Sequence, residues 1–123
     1  MVDENCIFCK IISGDIPSNK VHESDKFLAF HDINPKAPIH ILVIPKEHVV
    51  NMNDVTPEIM ANITPFIQEV AKMIGLDSDG YRLITNIGHD GGQEVYHLHF
   101  HILGGTRLPW IDMNKTDETK KSL

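Results

Sequence analysis

The sequence is short of several things, and each shortage narrows what the chain can be. No apolar run is long: "IHILVIP" at 39–45 falls far short of the roughly 20 residues a bilayer span requires, so no membrane attachment is expected. Positive charge is not in excess. A formal net charge of -6 argues against a protein that holds DNA or RNA by broad phosphate neutralisation, while leaving room for a small anion in a local pocket. The first residues, "MVDENCIFCK", show no charged-then-apolar leader, so a cytoplasmic protein is expected. Cysteine is scarce. The two present, Cys6 and Cys9, form one Cys-x-x-Cys, which in a reducing compartment suggests a metal or redox site more than a structural disulfide. Internal repeats and low-complexity segments are absent as well.

What is there reads as one domain over residues 1–123, with a core at about 6–110 and a polar tail at 111–123. At 123 residues the chain can bury a real core without staples. The spacing of Ile7, Phe8, Ile11 and Ile12 predicts a short helix that stops at Gly14 and Pro17. Strands are expected around 20–23 and 26–31, joined by a Ser-Asp turn, and along "PIHILVIP" as a central strand ending at Pro45. Thr56 as N-cap and Pro57 in the first turn open a long helix whose apolar face is Ile59, Ile63, Phe66, Ile67, Val70 and Ile74, with Gly75 ending it. Pro65 falls inside that pattern and predicts a kink or a break near Thr64. "YRLITNIG" and "VYHLHFHILGG" read as two further strands around the loop "HDGG". This order predicts an α+β fold, an antiparallel meander with helices against one face and the other face free for a ligand.

That last strand carries the chemistry. In "HLHFHIL", alternation sets His97, His99 and His101 on one face and Leu98, Phe100 and Ile102 on the other. A plain solvent face would be served by Thr, Lys or Glu, which do not crowd rings that repel when protonated. Two readings stay open on the residues alone. The three imidazoles could bind a catalytic metal, or one could attack phosphorus while its neighbours orient it and carry protons. Crowding disfavours the charged form of each ring, which keeps an attacking imidazole neutral near pH 7.

The run His97-Leu98-His99-Phe100-His101-Ile102-Leu103 resembles the signature of the histidine triad (HIT) superfamily. Further matching stretches are "FHDINPKAPIHILVIPKEH", "NIGHDGGQEVYH" and Gly104-Gly105, and the likeness is strongest to its Hint branch of purine nucleoside phosphoramidases. The resemblance implies a HIT fold with one long helix and a short N-terminal helix, joined sheet to sheet in a homodimer. It implies that His99 attacks the α-phosphorus of a nucleoside phosphoramidate to form a nucleotidyl-histidine. His101 would contact phosphate and assist the leaving group, the carbonyl of His97 would fix the tautomer of His99, and His40 would lie beside the triad. Asp32 would take the ribose hydroxyls while Phe30, His31 and Ile33 line the base pocket. Asn86, Gly92, Gln93, Glu94 and Val95 would serve the phosphate, by amides and amide side chains. Glu94 departs from the pattern, since several Hint members carry a Ser there; a carboxylate would repel phosphate unless it turns away and offers its N–H.

Three of these have a plainer alternative: His40 as a polar residue at a strand start, Asp32 as a strand-end residue before Asn34-Pro35, "HDGG" as an ordinary turn. The resemblance further implies a structural zinc held by Cys6, Cys9, His48 and His97, against a pair of reduced thiols without metal. No organic cofactor is expected, and a zinc on all three triad histidines is disfavoured because it would occupy the lone pair His99 needs. "RLPWIDM" at 107–113 would help shape the partner's site through Trp110, which could equally be a core aromatic. The rival activities are a dinucleoside polyphosphate hydrolase or nucleotidyl transferase of the same superfamily, and a nucleotide-binding interaction module.

Overall fold

The computed structural model describes residues 5–110; the tail at 111–123, and with it the end of "RLPWIDM", lies outside them. The order is α1 (Ile7–Ser13), β1 (Lys20–Glu23), β2 (Phe27–His31), β3 (Ile39–Pro45), α2 (Pro57–Met73), β4 (Arg82–Ile84) and β5 (Phe100–Gly104). This is an α+β fold around one five-stranded antiparallel sheet ordered β1-β2-β3-β5-β4. The first three strands run as a meander, and β5 then enters between β3 and β4. No helix among the described residues is long and apolar enough to cross a membrane.

The helices begin and end where local chemistry dictates. The Cys6 Sγ caps α1 by accepting from Cys9 N–H at 3.3 Å, and Gly14 closes it at φ +88, a left-handed conformation that glycine adopts without a Cβ penalty. Thr56 caps α2 by accepting from Ile59 N–H at 3.2 Å. Of the kink or break expected at Pro65, the break does not occur: α2 runs unbroken from Pro57 to Met73. Residues 61, 64 and 65 all lie on its exposed side. The carbonyl of Ala61, deprived of its partner by Pro65, therefore faces water, which lowers the cost of the missing bond.

The expectation that both helices share one face does not hold. Side chains alternate along β2 and β3, and each parity has its own helix. Phe27, Ala29, Ile41, Val43, Leu98, Phe100 and Ile102 pack with Ile63, Phe66, Ile67 and Val70 of α2. Leu28, Phe30, Leu42 and Ile44 pack with Cys6, Phe8, Cys9 and Ile11 of α1. The short helix thus covers part of the histidine face.

The expected strand at 95–105 is paired only from Phe100 onward. Beyond the pair Val43↔Phe100, β3 reaches Pro45, which has no N–H to donate. Other bonds carry the extended chain instead: Leu98 N–H donates to the Val49 carbonyl at 2.6 Å, and the Thr85 hydroxyl donates to the His99 carbonyl at 2.8 Å. His97 and His99 consequently precede the strand, and only His101 lies on it.

Candidate active site

The four histidines converge from two adjacent strands and the segment before β5. His97, His99 and His40 are buried and His101 is half-buried. His99 Nδ1 donates to the His97 carbonyl at 2.8 Å. A carbonyl only accepts, so the His99 proton sits on Nδ1 and the Nε2 lone pair is free. The Phe8 ring stands edge-on to His99, with centroids 5.1 Å apart, and the His101 ring is 5.0 Å away on another side.

A second chain of bonds fixes the other pair. Lys36 N–H donates to His40 Nδ1 at 3.1 Å, so His40 carries its proton on Nε2. That nitrogen lies 2.8 Å from His101 Nδ1 and 3.5 Å from Asp32 Oδ2. The shorter contact makes His101 Nδ1 an acceptor and places the His101 proton on Nε2. One ring in the cluster therefore presents a lone pair and its neighbour presents an N–H.

Burial is the main force on these rings. It pushes His101 down to about 4, helped by the neighbouring His99 and His40, and pushes His97 down to about 4. Burial likewise holds His99 and His40 below the ordinary imidazole range, opposed in both by Asp32. The cluster is neutral at pH 7.

The HIT domain model matches residues 13–108. The chain belongs to the HIT family. It is 54% identical over 101 residues to an uncharacterized HIT-like protein of Helicobacter pylori (strain ATCC 700392 / 26695), covering 82% of this chain and 97% of that one. It is 45% identical over 108 residues to the purine nucleoside phosphoramidase of Escherichia coli (strain K12), covering 85% and 91%. Among solved structures, a histidine triad protein from Clostridium difficile superposes with a TM-score of 0.86 at 50% identity, covering 91% of this chain and all of that one.

Within this HIT fold, the residues expected around the ligand are placed unevenly. Asp32 lies beside His40, and its Oδ1 also accepts from Asn34 N–H at 2.8 Å. Strand alternation sets Phe30 and His31 on opposite faces. Phe30 is buried, 5.8 Å from the Phe8 ring, while His31 is exposed at the end of β2 and Ile33 is 92% exposed. Asn86 donates to the Gly91 carbonyl at 2.8 Å and Gly92 sits at φ +79, so both shape the loop. Gln93 is buried, with every hydrogen-bonding position of its side chain taken by protein groups. Glu94 is exposed and lines, with Cys6, His48 and Tyr96, an open cavity of about 300 Å³. Among the described residues, the Glu94 and Val95 amides donate to no protein acceptor, whereas those of Gly92 and Gln93 close turns onto His89 and Gly88.

The set Cys6, Cys9, His48 and His97 converges, its ligand atoms all within 4.8 Å of one another. His97 Nδ1 lies 3.2 Å from Cys6 Sγ and 3.5 Å from Cys9 Sγ, and His48 Nδ1 is 3.5 Å from Cys9 Sγ. A tetrahedral zinc with ordinary bond lengths has S···N edges of about 3.6 Å. The tautomer is right too: His97 Nε2 donates to the Pro45 carbonyl at 2.8 Å, leaving Nδ1 as the ligand lone pair. Asp32, His40 and His101 also cluster, but His40 fails the same test. Its Nδ1 accepts from Lys36, so the nitrogen facing the cluster holds a proton and no lone pair.

Four residues of the site were not singled out from the sequence. Phe8 sits between the two cysteines and reads as a helix core residue. Thr85, the Pro45 carbonyl and Asn51 act through contacts across long sequence separations, for which no local pattern exists.

Proposed function

We propose that the protein is a nucleotide-binding hydrolase that cleaves the P–N bond of purine nucleoside phosphoramidates through a nucleotidyl-histidine on His99. The observation that carries this reading is the pairing of a buried His99 with a free Nε2 lone pair and a neighbouring His101 whose Nε2 bears the proton. Nitrogen attack on phosphorus needs the first, and departure of an amine needs the second. The 45% identity to a purine nucleoside phosphoramidase supports the choice of substrate class.

In the first step His99 Nε2 forms a bond to phosphorus as the P–N bond breaks. The leaving nitrogen takes one proton, handed across by His101 Nε2. The ring that gives up this proton is the neutral His101 of the resting site, and it recovers the proton from water in the second step. In the second step water attacks phosphorus, the His99–phosphorus electron pair returns to the ring, and the water's proton returns to His101. Nucleoside monophosphate and amine are the products. The phosphoryl oxygens are held by His101 and by the Glu94 and Val95 amides, with the Glu94 carboxylate directed toward solvent. Asp32 takes the ribose hydroxyls, and Phe30, His31 and Ile33 flank the base. Asn86, Gly92 and Gln93 shape the phosphate loop, and His40 fixes the tautomer of His101.

Zinc fits Cys6, Cys9, His48 and His97, and when bound there it supplies a structural anchor between α1, the segment after β3 and the histidine run. It takes no part in the bond changes. The active form is read as a cytoplasmic homodimer joined along β4, an edge strand with Leu83 exposed.

Trapping decides the reading. Denaturing the protein during turnover of an adenosine phosphoramidate should yield an AMP adduct on the peptide containing His99. An adduct on another residue, or turnover without any adduct in a rapid quench, would overturn it. Diadenosine triphosphate turned over faster than the phosphoramidate would favour the polyphosphate hydrolase instead.

A further inference from the structure

Two buried amide side chains near the phosphate loop touch no reacting atom in the chemistry above. Gln93 is 5% exposed and Asn51 is 8% exposed. Burying such groups is costly unless they are hydrogen-bonded, and here every position of Gln93 is filled. Its Nε2 donates to the Val50 carbonyl at 2.7 Å and the Val95 carbonyl at 3.1 Å. Its Oε1 accepts from Asn51 Nδ2 at 3.1 Å and from Gly88 N–H at 2.9 Å. Asn51 is fixed in turn, since its Oδ1 accepts from Asn53 N–H at 2.9 Å.

These bonds join two segments that the sheet ladder leaves unpaired. One is the loop at 88–95. The other is the stretch at 46–51, which supplies His48, receives Leu98 N–H at the Val49 carbonyl and follows directly on Pro45, the last residue of β3, whose carbonyl holds the His97 ring. The stretch at 46–51 is therefore a common reference for the phosphate loop and for the backbone that carries His99. Gln93 could donate to a ligand only by giving up a protein partner.

We propose that Asn51 and Gln93 form a clamp that positions the 88–95 loop, and with it the Glu94 and Val95 amides, relative to His99. Both act as positioning residues through the loop and neither touches the substrate. This inference rests on the hydrolase reading above. Misplacing such donors by a fraction of an ångström damages catalysis far more than it damages the fold.

The test compares Asn51→Ala and Gln93→Met with the wild-type protein. Losing the clamp should lower kcat for an adenosine phosphoramidate by about tenfold to a hundredfold. AMP affinity should weaken by about fivefold, the equivalent of one net hydrogen bond, while adenosine, which has no phosphate, should bind within about twofold of wild type. The clamp is overturned if kcat and AMP affinity stay at wild-type values, or if adenosine and AMP affinities fall together, as a general loss of structure would cause. Should a variant fail to fold, the wild-type protein still decides. The Gln93 side-chain amide protons should exchange slowly with and without AMP. Rapid exchange that AMP slows would make Gln93 a ligand contact. Wild-type protein that neither turns over the phosphoramidate nor binds AMP would refute the hydrolase reading itself, a result distinct from any change in the variants.

Discussion

Removing metal from Cys6, Cys9, His48 and His97 should destabilise the protein while leaving the chemical step nearly intact. The ligand atoms of Cys6 and His97, Cys9 and His97, and Cys9 and His48 already stand 3.2 to 3.5 Å apart, and all four lie within 4.8 Å of one another, close to the edges of a tetrahedral site, so binding requires only small shifts. Without a cation, burial pushes the Cys6 thiol up to about 11. The ion must therefore displace a proton from a neutral thiol, and its affinity should fall as pH falls. A ligand held at 1,000 times its Kd stabilises the fold by about 4 kcal/mol. For a chain of this length each kcal/mol moves Tm by roughly 3–5 °C, so stripping zinc should lower Tm by roughly 10–20 °C. Differential scanning calorimetry before and after a strong chelator, with metal content measured on the same sample, checks this. The rate of single-turnover adduct formation at a temperature well below both midpoints should change by less than about threefold, since no bond to the ion changes in the reaction. A structural zinc is refuted if protein made with zinc supplied holds none, or if chelation abolishes adduct formation while the fold persists.

Other outcomes follow from the same geometry. His99→Ala should keep AMP binding and lose turnover by several powers of ten, roughly 10³ or more, in steady-state assays; an unaltered rate would remove His99 as nucleophile. Thr85→Val leaves the His99 carbonyl without its 2.8 Å partner. It should cost about 1–3 kcal/mol in denaturant titration, with a larger proportional loss in kcat than in nucleotide affinity. Stability should also fall on acidification. His101 and His40 are held below their unfolded values in the folded state, so unfolding takes up protons. The stability they contribute is complete above pH about 6.5 and is lost progressively toward pH 4, the folded value of His101. Urea titrations across that range, compared with His40→Gln, should show the variant losing less on acidification than the wild type.

The elements of this protein were legible because each rests on local rules. Thr56-Pro57 and Gly14 mark helix ends whatever the rest of the chain does, and the β-branched run at 39–45 is a strand in any context that buries it. Spacing likewise put the three triad imidazoles on one side of the chain, and the wider motif suggested which of them attacks. Where the fold departs from the linear pattern, or chooses between its alternatives, the cause is the same. Pro65 does not break α2 because its face looks outward, and α1 takes the histidine face because the parity of Leu28, Phe30, Leu42 and Ile44 gives Phe8 and Ile11 an apolar surface there. Both depend on which side of an element meets what, and a linear pattern does not carry that.

The sequence by itself determined the residue types at the site and the alternation that gathers them. Tertiary structure alone decided where the protons of the His40–His101 pair sit, and it set the His99 proton where the family resemblance implied. The Nε2 of His99 is free because the His97 carbonyl occupies Nδ1, and the His101 proton sits on Nε2 because Lys36 N–H occupies His40 Nδ1 and so makes His40 the donor to His101, 61 residues further along the chain. The bond that orders the His40–His101 pair joins strands 61 residues apart, and its direction depends on the backbone N–H of Lys36, so it rests on contacts that no local pattern carries. The order of side chains cannot encode them. Only the meeting of the strands can.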